Sequence, residues 1–347
     1  DFSQKIGFLM RINLCKIFSL GILYLLAMPL SAVVFSERTE VKQFIAQVAQ
    51  EHPINTKKIL RALSKIESSP EILERIAKPY EALPWDKYQK LFLDPKRIQD
   101  GVKFWQEHAT TLQKAEQSFG VPAQLIVAII GVESSYGKNR GKYPVLQALA
   151  TLAFDYPPRS AFFKSELKEY LLLITEQGLE PLDLMGSYAG AMGTPQFISS
   201  SYRNFAIDFD QSGQIDLVNN TSQAIGSVAN YFKVHGWQAG QPVVYKAATK
   251  GQKYKTLPIA AKNSPKPVLS LTTLKQNGVT TKDQIMQPEE NLALLEFENG
   301  TNKEYWLGLN NFYVITRYNH SSNYAMAVYQ LSQAIVNSYK QQYAANN

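Results

Sequence analysis

Pro122-Ala123-Gln124-Leu125-Ile126-Val127-Ala128-Ile129-Ile130-Gly131-Val132-Glu133-Ser134-Ser135-Tyr136-Gly137 is the stretch that decides how this chain folds. Proline suits the first turn of a helix, because its missing N–H would go unsatisfied there anyway. From Leu125 to Val132 every residue is apolar or glycine, so the helix has no polar face and must be enclosed by other elements. The run ends on a carboxylate, Glu133, and a polar stretch opens behind it. A carboxyl group at the end of a buried apolar helix resists ionisation, since desolvation disfavours the charged form. That environment suits a general acid near neutral pH. The plainer alternative is a helix-end glutamate that pairs with a nearby Lys or Arg, or stands in water.

Other helices must supply the enclosure. Val41, Phe44, Ile45 and Val48, then Ile59, Leu60, Leu63 and Ile66, recur at helical spacing. Pro70, Pro79, Pro84 and Pro95 divide this region into shorter segments. Residues 100–119 read as one helix ended by Gly120, and further helices are expected over 146–153, 160–177 and 221–235. Near Gln241 the composition shifts to Val243-Val244-Tyr245, Pro258, Pro265, Pro267 and Val268-Leu269-Ser270-Leu271, which suits short strands and loops. Residues 292–297 and 304–307 read as a strand pair turning at Asn299-Gly300. A helix over about 324–343 closes a mainly α chain. No internal repeat or low-complexity tract is evident.

The chain has 347 residues, 45% hydrophobic and 19% charged, enough for one large core or two modest ones. A net charge of +7 favours acidic partners. No run of five or more basic residues and no nucleic-acid-binding signature occurs, so nucleic acid is not the expected partner and an acidic polymer suits the bias better. Met10-Arg11 and Lys16 precede the apolar stretch 17–28, and Pro29-Leu30-Ser31-Ala32 follows. This order predicts a secretory signal in residues 1–32, with 1–9 an upstream extension, and a periplasmic mature protein. The stretch is too short to favour a permanent span, although an uncleaved signal would anchor the chain to the membrane. Cys15, the one cysteine, precedes the apolar stretch, so neither lipid attachment nor a disulfide is expected.

Two further segments carry polar chemistry. Gly186-Ser187-Tyr188-Ala189-Gly190-Ala191-Met192-Gly193-Thr194-Pro195-Gln196-Phe197 has glycines that let backbone approach a ligand closely. Ser187 and Gln196 are candidate partners for sugar hydroxyl or acetamido groups, and Tyr188 and Phe197 for sugar faces. No Lys follows in Walker spacing, so phosphate is a weak rival; a structural Gly-rich turn is the plain one. Asp208-Phe209-Asp210-Gln211-Ser212-Gly213-Gln214-Ile215-Asp216 resembles the start of an EF-hand loop, with Asp208, Asp210, Ser212 and Gln214 as candidate ligands. Position 12 is Asn219 rather than a bidentate Glu, so the expectation is weak structural calcium or a metal-free turn held by Asx hydrogen bonds. His52, His108, His235 and His320 show no metal-ligand spacing.

Taken in order, Gly131-Val132-Glu133-Ser134-Ser135-Tyr136-Gly137, Ala148-Leu149-Ala150-Thr151-Leu152-Ala153-Phe154-Asp155-Tyr156-Pro157, Gly190-Ala191-Met192-Gly193-Thr194-Pro195-Gln196-Phe197, Asn230-Tyr231-Phe232-Lys233-Val234-His235-Gly236-Trp237 and Thr316-Arg317-Tyr318-Asn319-His320-Ser321 resemble the membrane-bound lytic transglycosylase B family. The blocks run from about Pro84 to Tyr329. The resemblance implies a lysozyme-like helical catalytic core over 121–240, a helical domain over 33–120 joined by the C-terminal helix, a small β-containing segment over 241–310, and a return to the cleft over 311–347. It implies an enzyme that cleaves peptidoglycan glycan strands between N-acetylmuramic acid and N-acetylglucosamine without water. The muramoyl 6-hydroxyl attacks its own anomeric carbon and leaves a 1,6-anhydro end. Glu133 matches the catalytic position, and Tyr88, Arg159, Ser187, Gln196, Phe197, Tyr231, Tyr318, Asn319 and Tyr324 match the cleft wall. No cofactor is required by that chemistry. Peripheral membrane contact and other cell-wall enzymes are further partners the resemblance allows.

The sequence departs from the family pattern in places. Pro158 stands before Arg159 where relatives carry a second Arg, and Ser134-Ser135-Tyr136 replaces a Thr-Arg-Trp type of sequence. Relatives also place an additional acid near the start of the helix after the calcium loop, where this chain has Ser222 and Gln223 after a one-residue insertion. Two rival readings remain open: an inverting muramidase using Glu133 with Asp155 or Asp183 as base, and a non-catalytic cell-wall binding protein.

Overall fold

In the computed structural model the described residues are 34–78, 83–260, 265–285 and 290–345. The expected secretory segment lies outside them. Helices come first: α1 (Thr39–Glu51), α2 (Thr56–Leu63), α3 (Pro70–Ile76), α4 (Trp85–Tyr88), α5 (Pro95–Glu107), α6 (Ala109–Phe119) and α7 (Ala123–Ser134). The short strand β1 (Tyr143–Pro144) precedes α8 (Val145–Asp155) and α9 (Ser160–Glu176). After β2 (Met185–Gly186) come α10 (Ser199–Phe205) and α11 (Thr221–Val234). A β-rich stretch follows, with β3 (Val244–Thr249), β4 (Ile259–Ala260), α12 (Leu271–Gln276), β5 (Val279–Thr280), β6 (Ala293–Asn299) and β7 (Asn302–Gly308). Helices α13 (Asn310–Tyr318) and α14 (Ser322–Ala345) close the chain.

The apolar helix is enclosed as its composition requires. Ile126 through Ile130 are fully buried in α7. They share a core with Phe104 of α5, Leu112 of α6, Phe232 of α11, and Val328, Leu331 and Ile335 of α14. A second core joins Val41, Ile45 and Ile59 of the first two helices to Leu149 and Leu152 of α8 and Leu167 and Leu171 of α9. The described residues of 33–120 therefore divide between two cores: α1 to α3 pack with α8 and α9, while α5 and α6 pack with α7 and α14. All described residues belong to one compact unit, Val33–Asn347.

The sheet runs β4-β6-β7-β3-β5, antiparallel except for the β4–β6 pair. Its hairpin closes between Asn299 and Asn302, with Gly300 at φ 63°, so the Asn-Gly signal marks the turn as expected. Helices predicted over 146–153, 160–177 and 221–235 appear within two residues of those limits. The single helix predicted over 100–119 is broken at His108 (φ −119°, ψ 24°), whose ring packs against Phe104 with centroids 4.5 Å apart. No single helix among the described residues is long and apolar enough to cross a membrane.

Truncating α7 should test its central place. Ile129 is fully buried, so Ile129→Ala removes three carbons and leaves a cavity, at about 2–5 kcal/mol. A urea midpoint shifted by less than about 1 kcal/mol equivalent would show that the enclosure is looser than described.

Candidate active site

The end of α7 is built to hold a carboxylate at a polar edge. Ser135 (φ 50°) and Tyr136 (φ 62°) both take the left-handed conformation, which strains non-glycine residues and persists only when surrounding contacts impose it. Those contacts are present. Tyr136 folds back over Gly131, where a Cβ would lie 2.6 Å from the ring, so glycine is required there. Its hydroxyl donates to the Arg97 carbonyl oxygen at 2.8 Å. The Arg97 guanidinium donates to the carbonyl of Gly131 and to Ser135 Oγ. Buried Ser134 ties this end to the second motif: its Oγ donates to the Thr194 carbonyl at 2.6 Å and accepts from Gly137 N at 2.9 Å. The sequence left Ser134 and Arg97 unassigned; their partners lie 60 and 34 residues away, and no local pattern announces them.

Glu133 is half-buried and faces a tyrosine cluster. Tyr324 Oη donates to Glu133 Oε1 at 2.5 Å. The Tyr324 ring stacks with Tyr318 (centroids 6.5 Å, 15°), which in turn lies 4.8 Å from Tyr231. Tyr318 Oη donates to the Pro195 carbonyl and Tyr231 Oη to the Arg317 carbonyl, each at 2.6 Å. Burial pushes the Tyr318 and Tyr324 hydroxyls well above the ordinary tyrosine value, and the nearby Glu133 charge adds to the rise. Burial raises Tyr231 as well. All three therefore stay hydroxyl donors at any working pH. Tyr88 is buried against Trp85 and Phe92.

Residues 36–333 match the transglycosylase SLT domain. The chain belongs to that family. It is 40% identical over 311 residues to the membrane-bound lytic murein transglycosylase B of Escherichia coli, covering 87% of this chain and 84% of the relative. Its fold superposes on the catenated lytic transglycosylase SltB1 from Pseudomonas aeruginosa, with a TM-score of 0.82, 42% identity, and 88% and 99% of the two chains covered. The Escherichia coli lytic transglycosylase Slt35 in complex with calcium matches with a TM-score of 0.78, 40% identity and 86% and 93% coverage. SltB3 from Pseudomonas aeruginosa in complex with NAG-anhNAM-pentapeptide matches at 0.73, 30% identity and 85% and 78% coverage. The mainly α, lysozyme-like fold expected from the sequence is that of these transglycosylases.

Within the SLT framework the other candidate residues divide. Ser187 Oγ accepts from the N–H groups of Ala189 (3.2 Å) and Ala191 (3.1 Å), closing the Gly-rich turn. Gln196 sits at φ 50° and donates its Nε2 to the carbonyls of Gly193 and Arg140, which leaves Oε1 as its acceptor. Phe197 is 2% exposed, bridged to Met192 and packed on Tyr231 and Tyr318, so it has no face to offer a sugar. That corrects the expected stacking role. Asn319 follows α13 directly, half-buried, its carbonyl accepting from Ser321 N. Arg159 is exposed, its guanidinium 4.4 Å from the Phe162 ring centroid and 5.2 Å from that of Phe163; these contacts, rather than Glu133, hold it.

The acidic loop was the other candidate. Asp208 accepts from Ser212 N and Gly213 N, and Asp216 from Val218 N and Asn219 N, which is the Asx-turn alternative. Among the described residues no group of three or more His, Cys, Asp or Glu could hold a metal ion. The loop also supports the Gly-rich motif. The Leu217 carbonyl accepts from Thr194 N at 2.9 Å and would lie 2.5 Å from a Cβ on Gly193, which takes φ 70°.

Ser134→Ala should reveal the clamp between the two motifs. It leaves the Thr194 carbonyl and Gly137 N–H without their partner, at about 1–3 kcal/mol for buried unsatisfied groups. Thermal unfolding of the variant checks this; an unchanged midpoint would show that the two motifs are held together by other contacts.

Proposed function

We propose that this chain cleaves the β-1,4 bond between N-acetylmuramic acid and N-acetylglucosamine in peptidoglycan, with Glu133 as its single acid/base and no water consumed. The observation that carries the reading is a half-buried carboxylate, received by the Tyr324 hydroxyl, in a chain whose residues 36–333 match a transglycosylase domain. The protonated Glu133 gives its proton to the glycosidic oxygen as the C1–O bond breaks. The muramoyl 6-hydroxyl oxygen then bonds to C1, and its proton passes to the Glu133 carboxylate. The enzyme returns to its starting state and the product carries a 1,6-anhydro ring. The substrate's acetamido oxygen stabilises the electron-poor C1, so a second carboxylate is unnecessary. Tyr324 holds the Oε1 oxygen of the Glu133 carboxylate in place through the step. The product named in the complex with the SltB3 relative, an anhydromuramoyl peptide, is of the kind this chemistry forms.

The packing disfavours an inverting hydrolase. Asp155 is held by Arg38 through two hydrogen bonds of 2.8 and 2.9 Å. Asp183 is exposed and lines a cavity of about 760 Å³ with Tyr202, Asp208 and Asp216, a cavity that does not include Glu133. Asp155 is thus engaged in an ion pair, and Asp183 belongs to a cavity apart from Glu133. The expected setting is the periplasmic side of the cell envelope, with glycan strands as the partner, in keeping with the membrane-bound relative.

Purified sacculi digested with the wild-type enzyme should release muropeptides lighter by one water than hydrolysed ends. Glu133→Gln should lower turnover by at least ~10²–10⁴-fold, the usual contribution of general acid/base work. Tyr324→Phe keeps the stacked ring but loses a charge-assisted hydrogen bond of ~1.5–3 kcal/mol, so turnover should fall about tenfold or more. Reducing ends in the wild-type digest would make the enzyme a muramidase. Near-normal turnover in Glu133→Gln would remove that residue from the chemistry.

A further inference from the structure

We propose that the side-chain amide of Gln223 stands where a cation would stand in the Asp208–Asp216 loop, so that the loop is closed permanently and independently of calcium. Gln223 lies in the first turn of α11 and is fully buried. Its Nε2 meets four oxygens: Asp208 Oδ1 (2.9 Å), Asp210 Oδ1 (2.9 Å), Ser212 Oγ (2.8 Å) and the Gln214 carbonyl (2.5 Å). These are positions 1, 3, 5 and 7 of an EF-hand-like loop, the set such loops turn toward calcium. One neutral nitrogen thus stands among the four inward oxygens and shares its two N–H bonds between them as bifurcated hydrogen bonds.

The residues do not fit an ion in its place. Gln223 Oε1 accepts from Asp216 N, which fixes which end of the amide points inward. Turning the amide over to present oxygen to a cation would set its NH2 against the Asp216 N–H, two donors face to face. Calcium takes about six to eight oxygens at about 2.3–2.6 Å. Beyond the four already named, this loop has little to add. Asp216 at position 9 accepts from Val218 N, Asn219 N and Asn219 Nδ2. Asn219 at position 12 donates to Asp216 instead of facing inward. The remaining charge on the two inward carboxylates is met by donors: Ser212 N and Gly213 N on Asp208, and Asn220 Nδ2 on Asp210 at 2.6 Å.

The consequence reaches the Gly-rich motif. Leu217 and Val218, just beyond the loop, receive Thr194 N and the Arg140 guanidinium, and the Arg140 carbonyl in turn receives Gln196 Nε2. A loop closed by its own amide keeps that turn in shape whatever the calcium concentration.

Thermal unfolding of the purified wild-type chain in a chelator and in millimolar calcium chloride tests the proposal. The midpoint should be the same in both. Gln223→Glu supplies a fifth oxygen site with the missing charge. In chelator it should unfold earlier, because three carboxylates then crowd one point. In calcium it should recover, raising its midpoint by about 3 °C or more for an affinity in the sensor range. Gln223→Met, which keeps bulk but donates nothing, should unfold earlier than wild type in chelator. A wild-type midpoint that climbs with calcium, or a calcium titration of the wild type showing stoichiometric binding at micromolar concentration, would overturn the proposal. So would a Gln223→Glu variant whose midpoint ignores calcium, since the four oxygens would then not form a cation-shaped ring.

Discussion

A helix without a polar face can exist in water only if other elements surround it, and this molecule is arranged around that constraint. Helix α7 buries every side chain from Leu125 to Ile130, and α5, α6, α11 and α14 close over it. Each buried Ile or Leu removes apolar surface worth about 1.5–3 kcal/mol from water. The arrangement leaves one way out, the C-terminal end, where Glu133 stands at the polar edge. Because the helix is gripped on all sides, the carboxylate it carries is placed by the core and not by a flexible loop. The acid/base role proposed for Glu133 requires it to meet one atom of a sugar polymer, and such a mount favours that.

Rigidity at the helix would be lost if the opposing surface moved, and a short chain of hydrogen bonds links the two. Ser134 joins the helix end to the Thr194 carbonyl, Thr194 N joins the Leu217 carbonyl, and Leu217 follows directly on the amide-filled loop. Tyr318 adds a second tie from α13 to Pro195. Strained backbone collects along this path, at Ser135, Tyr136 and Gln196, each with positive φ at about 1–3 kcal/mol. The neighbouring contacts that impose those conformations also set the donors and acceptors around Glu133.

Much of the architecture could be read before any coordinates, and the reasons are physical. Helix α7 is legible because unbroken apolarity admits one outcome, burial. The β6–β7 hairpin is legible because Asn299-Gly300 supplies positive φ where a tight turn needs it. Short elements such as α10, with 7 residues, and α12, with 6, are not legible, since isolated helices of that length are unstable and these exist only by tertiary contact. The break at His108 falls in the same class. Around the site, the tyrosines came from resemblance alone: α13 and α14 deliver Tyr318 and Tyr324 to Glu133 from almost two hundred residues downstream, and no spacing rule spans that distance. The departure at Gln223 was visible as a missing acid, yet only the position of its Nε2 shows what replaces the charge.

A single carboxylate is enough only when the substrate brings its own nucleophile, and the neighbourhood of Glu133 suits that economy. An inverting hydrolase needs a second carboxylate about 6.5–9.5 Å from the acid, with room for a water between. Tyr318 and Tyr324, near Glu133, are kept protonated by burial and by the charge of Glu133 itself. They can hold a carboxylate by hydrogen bonding, but they cannot deprotonate a water. The two acids considered as a base stand elsewhere: Asp155 is held by Arg38, and Asp183 lines a cavity that does not include Glu133. A site that offers proton transfer through one group, and hydroxyl donors in place of a base, fits an attack by the muramoyl 6-hydroxyl better than an attack by water.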